Sequence, residues 1–288
     1  MSSKGKKTVL ITGCSVGGIG YALAESFAQQ GLKVFATARN ASKMSGLDKK
    51  SNVTLLPLDV TSEASVVSAV EAVRAETGGS LNYLVNNSGR QYWMPLLDSD
   101  LDEGRALFEV NFWGVLRMIQ AFSPLLMAAT DGATIVNIGS IVASLYSPYC
   151  SIYNASKGAI HIFDETLRLE LAPVGIKVLT VVTGAVDTEI CRNSPEPVLP
   201  PTSKYHAAQE RLKLLATSED GHKATNAAEY AHAVVSDVLG GATGKVWRGA
   251  HSTTTRYLST LLPTSTMDGL LLNGSGLEKV ASEAKKVS

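Results

Sequence analysis

The sequence predicts an α/β fold, a single domain built on a doubly wound parallel sheet with helices on both faces. Three observations carry that prediction. Short unbroken runs of Val, Ile and Leu alternate with amphipathic helical patterns through the first two-thirds of the chain, as strands buried on both faces require. A glycine-rich turn follows the first run, at the sheet edge where such folds bind their ligands. No linker or internal repeat divides the 288 residues, so one domain spanning 1–288 is expected.

Thr8–Thr12 (TVLIT) reads as the first strand and Tyr21–Gln30 as a helix stopped by Gly31. Lys33–Ala38 (KVFATA), Val53–Leu58 and Leu81–Asn86 (LNYLVN) supply three more strands, and Ala133–Ile138 (ATIVNI) and Lys177–Val182 (KVLTVV) two further ones. Helices are expected at Glu63–Glu76, at Asp102–Ala128 with a break near Pro124, and at Ser151–Leu171. Val246–Arg248 is a candidate last strand at the edge. The stretch 189–227 breaks the alternation: it is polar, carries Pro195, Pro197, Pro200 and Pro201, and holds one helical piece near His206–Leu215. A long irregular insertion after a strand usually covers a binding site, so 189–227 and 248–275 are expected to form substrate lids. Tyr257–Leu272, apolar in patches and broken by Pro263, suits a lid or a contact between copies better than a membrane surface. The polar end, 278–288, is expected to be a flexible tail.

Composition removes several function classes. Lys+Arg and Asp+Glu are both 26, so no basic surplus points to nucleic acid. Cys14, Cys150 and Cys191 form no CxxC pair and the five histidines are scattered, which argues for a reducing compartment and against a metal site. There is no secretory h-region and no run of eighteen apolar residues. The expectation is a cytoplasmic protein with at most peripheral contact to an intracellular membrane.

The turn Thr12-Gly13-Cys14-Ser15-Val16-Gly17-Gly18-Ile19-Gly20 leads from the first strand into a helix. Glycines there let the backbone approach a pyrophosphate, while the helix N-terminus offers amide donors and positive potential. This makes the predicted sheet Rossmann-type and marks Gly13, Ser15, Gly18 and Ile19 as candidate cofactor contacts. The second strand ends in Ala38-Arg39-Asn40, with no acidic residue for a ribose 2′-hydroxyl and with Arg39 placed for a 2′-phosphate. NADP(H) is therefore the expected cofactor.

Tyr153 is the one tyrosine followed by a lysine four residues on, Lys157, and on a helix both share a face. A cation beside a phenol lowers its pKa toward working pH, as an acid/base catalyst requires. Ser140 closes the Ala133–Ile138 strand, Asn111 sits within a predicted helix where Asn is a poor former, and Asn86-Asn87-Ser88-Gly89 closes the fourth strand at the same edge.

Together these motifs identify a member of the short-chain dehydrogenase/reductase superfamily, with the resemblance running from Thr8 to about Thr188. It implies that Tyr153 donates the proton in reduction, that Lys157 lowers its pKa and holds the nicotinamide ribose, that Ser140 orients the carbonyl, and that Asn111 holds a water in a proton relay. It further implies that Asp59 and Val60 contact adenine, that Asn86 packs beside the cofactor, and that Val186 and Thr188 hold the carboxamide. There are departures: the glycine turn has one residue more than the commonest pattern, Ser88 replaces Ala, and Thr183-Gly184 stands where most members have Pro-Gly.

More narrowly, the TGCSxGGIG turn, the FxVNxWG string at Phe108–Gly114 and LRLELAP…VVTGAV resemble fungal 1-acyldihydroxyacetone-phosphate reductases and related carbonyl reductases. The expected reaction is NADP-dependent CH-OH/C=O oxidoreduction: 4-pro-S hydride transfer from NADPH to the ketone of a lipophilic or secondary-metabolite substrate. Gln91, Tyr92, Trp93, Tyr146 and Tyr149 are candidate pocket residues, each of which could equally be packing. No Lys/Arg cluster marks a substrate phosphate, although Arg90, Arg192 and Lys204 could contribute. An acyldihydroxyacetone-phosphate reductase, a non-redox isomerase or cyclase, and an NADP-binding regulator remain the alternatives. The resemblance also implies a homodimer or homotetramer paired through the helices of Asn111 and Tyr153.

Overall fold

The computed structural model describes residues 6–189, 196–219, 221 and 223–287. Its main sheet is parallel throughout. Strands β1 (Thr8–Ile11), β2 (Lys33–Ala38), β3 (Val53–Pro57), β4 (Tyr83–Asn86), β5 (Ala133–Ile138) and β6 (Ile176–Thr183) are followed by a two-residue pair, β7 (Val186–Asp187) and β8 (Thr225–Asn226), and by β9 (Gly244–Arg248). The order is β3-β2-β1-β4-β5-β6-β9, with β9 pairing parallel to β6. The winding reverses between β1 and β4, which is the switch point where this architecture opens a crevice.

Alternating side chains of each strand feed two separate cores. Val9, Ile11, Val34 and Ala36 point to one face, covered by α1 (Ile19–Gln29). Leu10, Phe35 and Leu84 point to the other, under α2 (Glu63–Thr77), α4 (Gly114–Met127) and α5 (Ser151–Leu171). Since both faces are covered, the strands carry unbroken apolar runs, the property that made them visible in the sequence.

Two expectations about helices need correction. The helix expected over 102–128 breaks at Asn111 and not at Pro124: α3 (Leu101–Phe108) passes through a π-helical turn, Glu109–Trp113, into α4. Pro124 is tolerated inside α4 because the Ser123 hydroxyl donates to the Gln120 carbonyl, the acceptor that a proline nitrogen leaves unused. The irregular region after β7 contains α6 (Gln209–Thr217), entered through a 3-10 turn at His206–Ala208, and then α7 (Ala227–Leu239) on the first face of the sheet. The end of the chain, read as a flexible tail, is α10 (Leu277–Val287). It follows α8 (Ser252–Leu261) and α9 (Thr264–Leu272), which Pro263 separates. The pair Leu277 and Val280, one turn apart, packs against a third small cluster of Tyr149, Leu199, Ala208 and Leu212. Among the described residues no helix is long and apolar enough to cross a membrane. Pro195, Cys191 and Arg192 lie outside the described residues.

Candidate active site

The glycine turn is braced by the end of β4. Thr12 Oγ1 accepts from the amides of Asn87 and Ser88, both at 2.9 Å, and Asn87 Nδ2 donates to the carbonyls of Thr12 (2.8 Å) and Gly13 (3.0 Å). Gly13 and Gly17 have φ of +74° and +76°, the left-handed region that glycine enters without strain. Within the turn the Gly18 amide donates to the Ser15 carbonyl and Val16 is half exposed. Gly18 then begins α1, whose N-terminus carries no side-chain cap, so its first amides have no side-chain acceptor there. Sequence reasoning passed over Gly20: a Cβ there would lie 2.4 Å from the Gly13 carbonyl oxygen.

Arg39 is exposed at the end of β2. Across the same edge, burial works against ionisation of Asp59. The Thr61 hydroxyl (2.7 Å) and amide (2.9 Å), with the charges of Arg39 and Arg117, outweigh it and hold the carboxyl below its ordinary range. Val60 is buried against α4, where a Cβ on Gly114 would lie 2.8 Å from its Cγ2. Asn86 donates from Nδ2 to Asn137 Oδ1 at 2.8 Å, while its buried Oδ1 has no partner among the described residues. An orphaned acceptor at the carboxyl edge, beside a glycine turn leading into an uncapped helix N-terminus, fits a bound dinucleotide.

Val186 lies in β7, and Thr188 is buried just beyond it. The preceding Thr183-Gly184 pair, a departure from Pro-Gly, has a structural reason. Thr183 Oγ1 and the hydroxyl of Tyr230, the largest fully buried side chain, are 2.6 Å apart. Gly184 is pressed against the next loop, and a Cβ would lie 1.9 Å from the Ala250 carbonyl oxygen. Gly184→Ala is therefore expected to cost about 3 kcal/mol or more, roughly 6–12 °C in Tm, as measured by thermal unfolding.

The four candidate catalytic residues come from the π-helical turn, the end of β5 and α5. Asn111 is buried; its Oδ1 accepts from the Arg90 amide (2.9 Å) and its Nδ2 donates to the Arg90 carbonyl (3.0 Å) and to Ser156 Oγ (3.1 Å). Ser156 Oγ in turn donates to the Tyr153 carbonyl at 2.8 Å. The extra residue of the π turn thus presents an amide side chain to α5, a common use of such bulges. Lys157 Nζ donates to the Ile138 carbonyl at 2.8 Å, two residues before Ser140. A Cβ on Gly89 would lie 3.4 Å from Asn111 Oδ1 and 3.9 Å from Lys157 Nζ, so these two groups flank the same small gap. Tyr153 is half-buried, one turn ahead of Lys157 on α5. Ser140 is buried and caps a 3-10 turn, its Oγ accepting from the Val142 amide at 3.3 Å.

Behind these residues lies a polar layer that sequence reasoning missed. Asn137 Nδ2 and Thr180 Oγ1 donate to the two oxygens of Asp164, at 2.5 and 2.6 Å. Burial pushes Asp164 up to about 6, against the pull of those hydrogen bonds and of Lys157. Burial likewise lowers Lys157 to about 8, with Asp164 acting in the opposite direction. The only signal available earlier was spacing: His161 and Asp164 follow Lys157 at one and two turns of the helix.

Of the candidate pocket residues, Trp93 packs against the cluster that contains Tyr149. Trp93 Nε1 donates to Gln91 Oε1 at 3.1 Å, and both are half-buried. The Tyr92 hydroxyl accepts from the Asp100 amide at 2.9 Å. Tyr146 is half exposed near α9, its hydroxyl donating to the Thr264 carbonyl at 3.5 Å. Tyr149 is buried in the third cluster, its hydroxyl donating to the Ser275 carbonyl at 3.0 Å.

A switch-point crevice with a glycine cradle and a Tyr-Lys helix defines a dinucleotide-dependent oxidoreductase. The chain belongs to the short chain dehydrogenase family, whose pattern matches residues 7–198. It is similar to the short-chain dehydrogenase ptmH of Penicillium ochrochloron, 46% identical over 94% of this chain and 99% of that protein. It is also similar to the NADPH-dependent 1-acyldihydroxyacetone phosphate reductase of Schizosaccharomyces pombe, 40% identical over 82% of this chain and 79% of that one. Among solved structures it resembles a short chain dehydrogenase from Burkholderia cenocepacia in complex with NADP (TM-score 0.72, 27% identity, 93% of this chain and 98% of that one). A short chain dehydrogenase/reductase from Burkholderia phymatum in complex with NAD is similar as well (TM-score 0.73, 26% identity, 88% and 91%). The protein is thus an oxidoreductase of a family that works with a nicotinamide cofactor.

Proposed function

We propose that the protein is an NADPH-dependent reductase of a lipophilic ketone. The observation that carries this is that Lys157 and Asn111 flank one gap, with Lys157 bonded two residues before Ser140 and Tyr153 one turn ahead of it on α5. Gly13, Ser15, Gly18 and Ile19 would hold the pyrophosphate. Asp59 and Val60 would meet the adenine, and Asn86 the cofactor through its orphaned Oδ1. Val186 and Thr188 would meet the carboxamide. Arg39, with no acid beside it at the end of β2, favours a 2′-phosphate. The nicotinamide, when bound, supplies the hydride. Ser140 Oγ orients the carbonyl, and the Tyr153 hydroxyl delivers a proton to the oxygen as it gains charge. The Lys157 cation stabilises the phenolate left behind, and a water held beside Asn111 would return the proton to it from solvent.

Gln91, Tyr92, Trp93 and Tyr146 would each offer an amphipathic side chain to a lipophilic ketone. Tyr149 contributes by tying the chain after α9 to the start of α5. An acyldihydroxyacetone-phosphate substrate is the second reading, favoured by the 40% identity to that reductase. Against it, Arg90 is engaged in an ion pair with Glu103 and Lys204 is fully on the surface. Exposed Leu101, Trp113, Ile162 and Leu169 on α3, α5 and the π turn support pairing of copies there.

The test is a panel of ketones with NADPH deuterated at the 4-pro-S position, and products read by mass and chirality. An alcohol carrying one deuterium supports the reading. Tight NADPH binding with no reduction anywhere in the panel would move the protein to an isomerase or a regulator. The cofactor affinity should also depend on pH. Lys157 is cationic below about 8 and neutral above it. NADPH binding is therefore expected to weaken as pH rises through that value, and titration calorimetry should show the step gone in Lys157→Met.

A further inference from the structure

The hydroxyl read above as orienting the carbonyl depends on a backbone that leaves the sheet just before it. The Gly139 amide makes the last bond to β6, donating to the Val181 carbonyl at 2.9 Å. Ser140 is the next residue, buried, and its amide has passed beyond the ladder. A buried amide without an acceptor is costly enough that such a segment would open to find one.

The acceptor comes from α5. His161 is buried one turn beyond Lys157, and the Ser140 amide donates to its Nε2 at 3.3 Å. Lys157, on the same face, takes the Ile138 carbonyl. One helix face therefore grips both sides of Gly139, with a donor before it and an acceptor after it. Gly139 is what allows the approach: a Cβ there would lie 2.3 Å from His161 Nε2 and 2.9 Å from Cδ2.

We infer that His161 is a positioning residue for Ser140, its imidazole Nε2 holding the serine backbone where the hydroxyl can meet a carbonyl oxygen. This rests on the reading of Ser140 as the group that orients the substrate. For Nε2 to accept, the neutral ring carries its proton on Nδ1. Burial, with the positive charges of Lys245 and Lys157, lowers His161 to about 3, so the acceptor lone pair persists across the working range of pH. The inference adds a third functional position to the Tyr153–Lys157 face, at the next helical turn.

The test compares His161→Leu, which removes the acceptor, with His161→Gln, whose Oε1 can reach the place of Nε2, and with Gly139→Ala, which displaces the ring. Hydrogen exchange of the Ser140 amide, Tm, and kcat and KM for phenanthrenequinone with NADPH are measured for each. His161→Leu is expected to speed Ser140 exchange about tenfold or more while amides in β1 and β2 keep their protection. It should lower kcat about 10- to 30-fold with the KM for NADPH within about twofold of wild type. Gly139→Ala should resemble it, and His161→Gln should return both readouts to within about threefold of wild type. Unchanged Ser140 exchange in His161→Leu overturns the inference, and so does a glutamine variant no better than leucine, since that would make the role one of packing. If wild-type protein reduces no ketone, the reductase reading falls by itself. The exchange of the Ser140 amide in the three variants then still decides whether His161 holds that backbone.

Discussion

Tyr153→Phe is expected to lower kcat for ketone reduction by about a thousandfold or more while NADPH still binds. The substitution removes one oxygen and nothing else. Lys157 keeps its bond to the Ile138 carbonyl, Ser140 keeps its place at the end of β5, and the Ser156 hydroxyl continues to donate to the backbone carbonyl of residue 153. On the proposed mechanism, what disappears is the acid that meets the developing alkoxide, a contribution made in the transition state and scarcely in the ground state. The loss should accordingly fall on kcat, with the KM for the cofactor nearly unchanged. Stopped-flow absorbance with a reducible ketone measures it directly. A Phe variant retaining a tenth of the activity would show that another group protonates the product, and the half-buried phenol would lose its assigned role.

Arg39→Ala is expected to weaken NADPH binding about 10- to 100-fold and to leave NADH binding nearly unchanged, the range that one charge-assisted contact to phosphate supplies. The arginine is exposed at the end of β2, and its charge reaches Asp59 at the same edge of the sheet. Its removal therefore has a secondary effect of known sign. Asp59 loses part of the positive field that keeps it ionised, so its carboxyl should move up toward the ordinary range. Isothermal titration with both cofactors separates the two consequences, because only the phosphate contact discriminates between them. Equal losses for NADPH and NADH would assign Arg39 to general electrostatics at the crevice.

The strands could be read from the chain because a sheet covered on both faces writes itself as unbroken apolar runs, as in β2, β5 and β6. The Tyr153 and Lys157 pair was readable for a similar local reason, helical spacing. Features set by distant partners were not. Pro124 looked like a helix breaker, yet the neighbouring Ser123 hydroxyl satisfies the carbonyl it frees. The real irregularity at Asn111 is sustained by Arg90 and Ser156, neither of which marks it in sequence. The terminal helix has its Leu277 and Val280 spacing in plain view, but only the cluster around Tyr149 gives that stripe something to cover. Buried polar residues are the hardest to read, since His161 and Asp164 look like surface residues until Gly139, Asn137 and Thr180 are brought against them.

The hydroxyl pair formed by Thr183 and Tyr230 ties two distant positions into one unit of inheritance. A proline at 183, customary elsewhere in the family, would strand a phenol hydroxyl inside the core, and a phenylalanine at 230 would deprive the threonine of its tightest partner. Each single change is disfavoured where the double change replaces both polar groups together. Drift between the two forms of this loop must then pass through a weakened intermediate, so the threonine-tyrosine form should persist in a lineage as a linked trait. Grafting the loop of a proline-bearing relative into this chain should accordingly succeed only when residue 230 on α7 travels with it.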